Sequence, residues 1–209
     1  MYDFKAIGDA LIAGDATKVL ELVKSGLSQG VPARDLLNRG LIAGMDLVGE
    51  RMEKEEMFIP EVLMAAKAMS AAVEVLRPLL TESDVGTPGR VVIGTVKGDL
   101  HDIGKNLVAM MFASAGLEVY NLGVDVEPEK FVSEIKARNA NILGLSALLT
   151  TTMPMMKETV AALTKAGIRD RVKILVGGAP VTEAYATAIG ADGYAPDAGS
   201  ATRLAKSLL

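Results

Sequence analysis

Apolar residues recur at helical spacing through the first 80 residues. Two short amphipathic segments, 2–13 and 16–28, flank Gly14-Asp15, and Asp15 has the side chain of a helix N-cap. A longer amphipathic segment follows Pro32, and another follows Pro60, because proline suits the first turn of a helix. Four amphipathic helices joined by short loops predict an all-α four-helix bundle.

The pattern changes near residue 90, where short β-branched runs begin to alternate with amphipathic stretches. The run Val91-Val92-Ile93 is apolar at every position, which is typical of a strand buried on both faces. Strands are predicted at 91–96, 118–122, 141–146, 173–176 and 193–195, with helices between them and at 199–208. Five strand–helix units predict a C-terminal α/β domain, a flavodoxin-like (Rossmann-like) five-stranded parallel sheet with helices on both faces.

Residues 81–89 are polar and rich in turn-forming residues. Such a segment is typical of an interdomain linker. The predicted organisation is therefore a helical domain at 1–80, a linker at 81–89 and an α/β domain at 90–209. If the helical domain has to move, the linker is the expected hinge.

Composition narrows the classes of partner. The net charge of −4 provides no basic patch for nucleic acid or an anionic membrane surface. No apolar run is long enough to cross a bilayer, and the first residues lack the layout of a signal peptide. The chain has no cysteine, which suits a reducing compartment. We expect a cytoplasmic protein with no nucleic-acid or membrane partner.

The chain has one histidine, His101, in the loop between the first predicted strand and a helix that should begin near Ile103. This loop lies at the carboxyl edge of the sheet, where open α/β folds bind ligands. A phosphate-binding P-loop is disfavoured, because Gly98 and Gly104 enclose five residues and Asn106 replaces the magnesium-binding hydroxyl. The glycine spacing does not match a dinucleotide-binding loop either.

A metal ligand is the third possibility for His101. One imidazole nitrogen can bind a metal while a nearby carboxylate, here Asp99, fixes the tautomer through the other nitrogen. One histidine without any cysteine cannot build a zinc site. The metal would have to arrive with most of its own ligands. The alternative interpretation is an ordinary solvated loop histidine.

Three motifs resemble the signature of cobalamin-binding domains that bind the cofactor in the base-off/His-on form. They are Asp99-x-His101-x-x-Gly104, Ser146-Ala147-Leu148 and Gly177-Gly178, and all three lie at predicted strand ends in the order of that family. The resemblance implies that His101 ligates the cobalt in place of the cofactor's dimethylbenzimidazole. It also implies that Asp99 orients the imidazole and buffers its proton.

The same resemblance implies a slot for the displaced nucleotide tail. Ser146 would hydrogen-bond the benzimidazole, and Gly177-Gly178 would leave room for the tail. Thr152 matches a serine that extends the Asp–His relay in methionine synthase, although Thr151 or Thr152 could instead cap the next helix. The remaining cofactor contacts expected from these motifs and strand ends are Asp102, Ile103, Gly104, Leu148, Thr150 and Tyr194.

The helical half resembles the cap over the corrin in methionine synthase and related corrinoid proteins. The similarity rests on Met57-Phe58-Ile59-Pro60-Glu61-Val62. It implies that Met52 and Ile59 lie over the reactive face of the cobalt and exclude water. Met52 departs from the phenylalanine of methionine synthase, and Glu55-Glu56 replaces a glycine-containing stretch. A core role is the alternative for Met52.

The whole chain resembles the small two-domain corrinoid proteins of methanogen and acetogen methyltransferase systems. These systems use methanol, methylamines, methylated betaines or aryl methyl ethers. The resemblance implies a methyl carrier that is not catalytic alone. Co(I) would accept a methyl group from a substrate-specific methyltransferase, and methyl-Co(III) would deliver it to a second methyltransferase that uses tetrahydrofolate or coenzyme M. A reductive activase would restore oxidised cobalt.

Two other functions remain open at this point. A cobalamin-dependent sensor or transcriptional regulator would use a similar cap, but should carry a DNA-binding element. The small subunit of an adenosylcobalamin mutase would bind the cofactor similarly, but normally lacks a helical cap.

Overall fold

The structure is a computed structural model that describes residues 2–80 and 89–209. The predicted linker falls almost wholly on 81–88 and lies outside the described residues. The chain divides into two compact units, one built on helices and one built on a five-stranded sheet, which are described separately.

The helical unit contains the four predicted helical regions, and the third of them changes geometry along its length. It starts as an α-helix, winds more loosely as a π-helical segment, and returns to an α-helix. The elements are α1 (Lys5–Ile12), α2 (Ala16–Ser28), α3 (Ala33–Asp35), the π segment (Leu36–Ile42), α4 (Ala43–Glu53), α5 (Ile59–Leu76) and a final 3₁₀ turn (Arg77–Leu79).

Helix capping and close helix packing stabilise the helical unit. Asp15 caps α2 as predicted, because its carboxylate accepts a hydrogen bond from the Lys18 backbone N–H at 2.9 Å. Helices α1 and α4 approach closely at Gly8 and Gly44, since a Cβ on Gly44 would lie 2.8 Å from the Gly8 Cα. The apolar stripes of the longer helices are buried, as Leu41 and Val62 illustrate.

The second unit is a fully parallel sheet with the strand order β2-β1-β3-β4-β5. The order confirms the predicted flavodoxin-like winding. The strands are β1 (Arg90–Thr95), β2 (Glu118–Asn121), β3 (Ile142–Ser146), β4 (Lys173–Gly177) and β5 (Gly193–Tyr194). The helices are α6 (Ile103–Ser114), α7 (Pro128–Arg138), α8 (Pro154–Lys165), α9 (Glu183–Ile189) and α10 (Ala198–Ser207).

Apolar cores cover both faces of the sheet, which explains the uniformly apolar β1. Val92 packs with Phe131 of α7 and Met156 of α8 on one face. Val91 packs with Phe112 of α6 on the other. Among the described residues no helix is long and apolar enough to cross a membrane.

Candidate functional site

Two loops meet at the carboxyl edge of the sheet. The histidine loop, residues 97–102, follows β1, and the β3 loop, residues 147–153, follows β3. β1 and β3 pair in the sheet although β2 separates them in the chain. The two loops therefore lie side by side where the strand order reverses, at the crevice in which open α/β sheets bind ligands.

Asp99 is the centre of the contacts between these loops, and its side chain is completely buried. Oδ1 accepts hydrogen bonds from the His101 backbone N–H at 3.1 Å and from His101 Nδ1 at 2.7 Å. Oδ2 accepts from the backbone N–H groups of Leu148 at 2.7 Å and Leu149 at 3.3 Å. The Thr152 hydroxyl lies 2.8 Å from the same Oδ2. The β3 loop thus completes the surroundings of a carboxylate that belongs to the histidine loop.

These bonds keep the Asp99 carboxylate ionised and place a proton on His101 Nδ1. Burial raises the pKa of Asp99, but hydrogen bonds from His101, Leu148 and Thr152 outweigh burial and hold that pKa well below its usual range. An ionised carboxylate has no proton to donate, so the 2.7 Å contact requires a proton on His101 Nδ1. In a neutral imidazole with its proton on Nδ1, the free lone pair is on Nε2. The imidazole side chain is 50% exposed and has a nitrogen suited to metal binding.

The backbone of the histidine loop is anchored near His101. The buried Thr95 hydroxyl donates to the His101 carbonyl oxygen at 2.8 Å. Asp102 accepts two bonds from Asn106, one at its carbonyl from the backbone N–H at 2.7 Å and one at its carboxylate from the side-chain amide at 2.8 Å. Helix α6 then begins at Ile103, as predicted. These contacts fix the main chain on both sides of the imidazole.

Large apolar side chains are exposed around the histidine. Leu100 is 71% exposed and Ile103 is 80% exposed, while Leu148 and Leu149 of the β3 loop are about two-fifths exposed. We call these four residues the apolar rim. Gly104 adds open space, because no heavy atom lies within 4 Å of the position that a Cβ would take there. A polar imidazole within an apolar rim suits a large, flat ligand.

Beyond the histidine loop, three residues form what we call the glycine edge: Ser146, Gly177 and Gly178. Ser146 pairs with Thr95 on one side and with Gly177 on the other. The half-buried Ser146 hydroxyl has no hydrogen-bond partner within residues 2–80 and 89–209. Gly178 has a φ of 128°, and a Cβ there would lie 1.9 Å from the Ala147 carbonyl oxygen. The chain itself therefore requires glycine at 178, whatever a ligand needs.

The other sequence-predicted residues of this unit lie around the same edge. Thr150 is exposed on the β3 loop, and Tyr194 is half-buried at the end of β5. The alternative role of Thr151 or Thr152 as a helix cap is wrong, because α8 receives no side-chain cap. The Thr152 hydroxyl instead shares its proton between Asp99 and the Leu149 carbonyl oxygen, which lies 2.9 Å away.

Comparisons with known proteins agree with this geometry. A sequence model described as a B12 binding domain matches residues 89–203, and a second so described matches residues 4–77. The dimethylamine corrinoid protein of Methanosarcina barkeri is 44% identical over 204 residues, which cover 97% of this chain and 95% of that protein. This chain belongs to the B12-binding corrinoid proteins of methyltransferase systems.

Two solved structures also match nearly all of this chain. A cobalamin-binding protein from Desulfitobacterium hafniense is 33% identical, with a TM-score of 0.87 and 100% of both chains covered. A chain of the methanol:cobalamin methyltransferase complex MtaBC from Methanosarcina barkeri is 30% identical, with a TM-score of 0.82. That match covers 98% of this chain and 78% of the other.

The residues present suit a corrinoid, whose ring supplies most of the ligands of its cobalt. No cluster of three or more His, Cys, Asp or Glu side chains that could hold a bare metal ion exists in the described part of the chain. His101 alone offers an imidazole with a free Nε2. The apolar rim suits a large ring, and the partnerless Ser146 hydroxyl suits a polar group of the cofactor.

Sequence reasoning missed a polar network that Asn106 connects to the histidine loop of this corrinoid protein. Lys105 is almost fully buried, and its ammonium donates to the side-chain oxygens of Asn106 at 2.6 Å and of Asn121 at 2.7 Å. Burial lowers the pKa of Lys105. The network ties the first turn of α6 to the end of β2. A lysine directly after Gly104 was the only signal, and nothing in the sequence pairs it with Asn121.

The two predicted cap residues lie in the helical unit. Met52 is half-buried near the end of α4, and Ile59, the first residue of α5, is 46% exposed. Phe58, Leu63 and Met64 are also exposed there, so this end of α5 presents an apolar surface. A position over the cobalt stays a prediction for Met52 and Ile59.

Proposed function

We propose that this corrinoid protein is a methyl carrier, loaded by one methyltransferase and unloaded by another. The observation that carries the proposal is the only histidine of the chain, held through Nδ1 by a buried and ionised carboxylate. When bound, a corrinoid would supply a cobalt centre that reversibly accepts and donates a methyl group. All other parts of the function fall to the residues of the chain and to its partners.

His101 would bind the cobalt through Nε2, in the base-off/His-on form. Asp99 keeps the proton on Nδ1, so the nitrogen with the lone pair stays available. The buried Asp99 carboxylate would also stabilise a positive charge on the adjacent imidazole. The Thr152 hydroxyl and the N–H groups of the β3 loop compensate that carboxylate in turn.

The glycine edge would receive the nucleotide tail of the cofactor. In this role Ser146 hydrogen-bonds the tail, Gly177 and Gly178 keep its path free of side chains, and Tyr194 lines the far end. Ile103 and Leu148 would contact the ring, while Asp102, Gly104 and Thr150 border it. The open space at Gly104 and the exposure of Ile103 and Leu148 support these roles.

The helical domain, residues 1–80, would cover the upper face of the ring, with Met52 and Ile59 excluding water. The linker at 81–89 would let this domain move away from the domain at 90–209 when a partner approaches. The exposed apolar surface at the start of α5 supports such a covering role.

The proposed partners are a substrate-specific methyltransferase, an acceptor methyltransferase that uses tetrahydrofolate or coenzyme M, and a reductive activase. The relatives support the first of these, since one is named for dimethylamine and another belongs to a methanol:cobalamin methyltransferase complex. We expect these partners, and hence this protein, in the cytoplasm. Dimethylamine is the first donor to test because the relative named for it is 44% identical.

Single-turnover demethylation tests the proposal. Protein loaded with hydroxocobalamin and reduced with titanium(III) citrate should yield one monomethylamine per loaded protein from dimethylamine, only when a dimethylamine methyltransferase is present. Methanol, betaines and aryl methyl ethers with their methyltransferases are the next donors. Failure with every class, by a protein that binds the cofactor fully, would contradict the carrier role.

Gly104→Ala tests whether Gly104 is needed for cofactor binding or for the stability of the fold. Apart from its chain neighbours and the backbone of its own helix, the new methyl group meets no atom within 4 Å, and alanine favours a helix by up to about 1 kcal/mol. We expect the variant to be as stable as the wild type or more stable, yet to bind hydroxocobalamin more weakly. Gly167→Ala also meets no atom within 4 Å but lies at a φ of 69°; as the control it should lose some stability and still bind normally. Unchanged binding by Gly104→Ala would remove Gly104 from the site.

A further inference from the structure

Asp125 holds the histidine loop from the side opposite the β3 loop. It lies between β2 and α7 and makes two hydrogen bonds to residues that precede His101. Its backbone N–H donates to the Asp99 carbonyl oxygen at 3.0 Å. Its side-chain Oδ1 accepts from the Gly98 backbone N–H at 2.7 Å. Asp125 therefore binds the same short stretch of main chain with its own main chain and with its side chain.

The backbone conformation narrows the choice of residue at 125. Asp125 has a φ of 54°, in the left-handed region, which few residues other than glycine, asparagine and aspartate adopt readily. Asn139, another described non-glycine residue with positive φ, has a local reason because it ends helix α7. Asp125 ends no helix. Glycine would suit its backbone but would lose the acceptor for Gly98.

The two sides of the loop control different parts of Asp99. The β3 loop binds the carboxylate, through Leu148 and Thr152. Asp125 binds the main chain of Gly98 and Asp99. Since the carboxylate is fixed at one end, a shift of the main chain would rotate it away from His101 Nδ1. Groups that orient a metal-binding histidine typically change metal affinity 10- to 100-fold when removed.

We propose that Asp125 is a positioning residue for the axial imidazole, acting through the main chain of Gly98 and Asp99. This role rests on the proposed function in one respect, because the proposed function assigns His101 as the ligand of the cobalt. The hydrogen bond at Oδ1, rather than the negative charge, carries the effect. Asparagine should therefore replace Asp125, because its amide oxygen accepts the same bond and its backbone tolerates the left-handed region.

The test uses the single histidine as its own probe. The full chain, without a histidine tag and with ¹⁵N-histidine, gives one pair of imidazole nitrogen signals in the apoprotein. The wild type should show widely separated signals, with the proton on Nδ1. Asp125→Asn should match it. In Asp125→Ala and Asp125→Gly the ratio of the Nδ1–H to the Nε2–H tautomer of His101 should fall by about threefold to tenfold. This effect is smaller than that of removing a group that contacts the histidine directly, because Asp125 acts through the main chain.

The same variants are then loaded with hydroxocobalamin, and the fraction with a nitrogen axial ligand from His101 is measured by electron paramagnetic resonance of the Co(II) form. Asp125→Ala should lower the ratio of ligated to unligated protein by a similar factor. The proposal would be overturned if both Asp125→Ala and Asp125→Gly gave wild-type spectra. It would also be overturned if Asp125→Asn changed the spectrum as much as Asp125→Ala does. The glycine variant keeps the backbone relaxed if alanine prevents folding.

The two failures can be told apart. If even the wild type binds no cobalamin, the proposed function fails, but the apoprotein spectra still decide whether Asp125 orients His101. If the wild type binds in the His-on form and no variant changes either spectrum, Asp125 alone is wrong.

Discussion

Asp99 and Ser146 lie at the carboxyl ends of two paired strands, yet their surroundings are opposite. The Asp99 carboxylate is buried and has five hydrogen-bond donors within reach, from the histidine loop and the β3 loop. The half-buried Ser146 hydroxyl has none in the described chain. The carboxylate of the histidine loop is therefore fully hydrogen-bonded within the protein. The Ser146 hydroxyl of the glycine edge remains available to a ligand.

The contrast suggests two ways of preparing a site. Around His101, hydrogen bonds to Asp99 fix the tautomer and the orientation of the imidazole. In the proposed function this arrangement would reduce reorganisation when a cofactor binds. At the glycine edge, the Ser146 hydroxyl has no partner in the described chain, and the close Ala147 carbonyl oxygen leaves no room for a side chain on Gly178. Substitutions in the histidine loop should therefore change both stability and cofactor binding. At the glycine edge, removing the Ser146 hydroxyl should change binding alone, whereas a side chain on Gly178 should reduce stability.

Gly178→Ala should have the largest effect on stability. A Cβ would lie 1.9 Å from the Ala147 carbonyl oxygen, at a backbone φ of 128°. Strain and overpacking together should cost about 3 kcal/mol or more, measured by urea unfolding of the apoprotein. Gly167→Ala is the control, because its φ of 69° is also positive but no atom lies within 4 Å. Equal losses in both variants would show that Ala147 does not approach Gly178 closely.

Asp99→Asn should come next. An amide places an NH₂ group where the carboxylate accepted bonds, so at least one buried N–H group loses its acceptor. The expected loss at pH 7 is about 2 to 3 kcal/mol, measured by urea unfolding, with loss of the single Nδ1–H tautomer of His101. A variant as stable as the wild type would mean that the carboxylate is not held as described.

Lowering the pH should reduce the difference in unfolding free energy between Asp99→Asn and the wild type. Burial raises the pKa of Asp99, but its hydrogen bonds hold it below the value in the unfolded chain, which is about 3.9. A depressed native pKa contributes stability that is full above the unfolded value and is lost as the pH falls below it. The difference in unfolding free energy should therefore be smaller at pH 3 than at pH 7. A constant difference would contradict the depressed pKa.

Thr152→Val should have a moderate effect. It removes a hydroxyl that lies 2.8 Å from Asp99 Oδ2 while keeping the shape of the buried side chain. The expected loss of stability is about 1 kcal/mol, with a small change in the His101 tautomer ratio. Thr152→Ser keeps the hydroxyl and should preserve the tautomer ratio. If the serine variant changes that ratio as much as valine does, the methyl group rather than the hydrogen bond matters.

Ser146→Ala should leave stability nearly unchanged, because the hydroxyl has no partner in the described structure. Its loss should weaken hydroxocobalamin binding by about tenfold, the value of one hydrogen bond. Ser146→Leu should weaken binding further by filling the space, and titration monitored by visible absorption measures both. Wild-type affinity in Ser146→Leu would show that the tail runs elsewhere.

Much of this molecule follows from local pattern. Short apolar runs predicted all five strands, and apolar residues at helical spacing predicted the four helical regions. The two-residue separation of Asp99 and His101 predicted their contact. The π-helical segment escaped prediction, because its apolar positions fit an ordinary helix equally well.

Contacts between loops were harder to foresee. Thr152 reaches Asp99 only because β3 pairs with β1. Asn121 reaches Lys105, and Asp125 reaches Gly98, because β2 pairs with β1 on the other side. Register and loop path decide such contacts, and one sequence carries neither. The family resemblance supplied Thr152 but not Lys105 or Asp125.

The most direct test of the central claim is the identity of the nitrogen below the cobalt. Protein is prepared with ¹⁴N- or ¹⁵N-histidine, loaded with unlabelled cobalamin and reduced to Co(II), and its electron paramagnetic resonance spectrum is recorded. If His101 is the axial ligand, each cobalt line should change from a triplet to a doublet on ¹⁵N labelling, since the chain has one histidine. An unchanged triplet would show that the cofactor keeps its own base and would contradict the account.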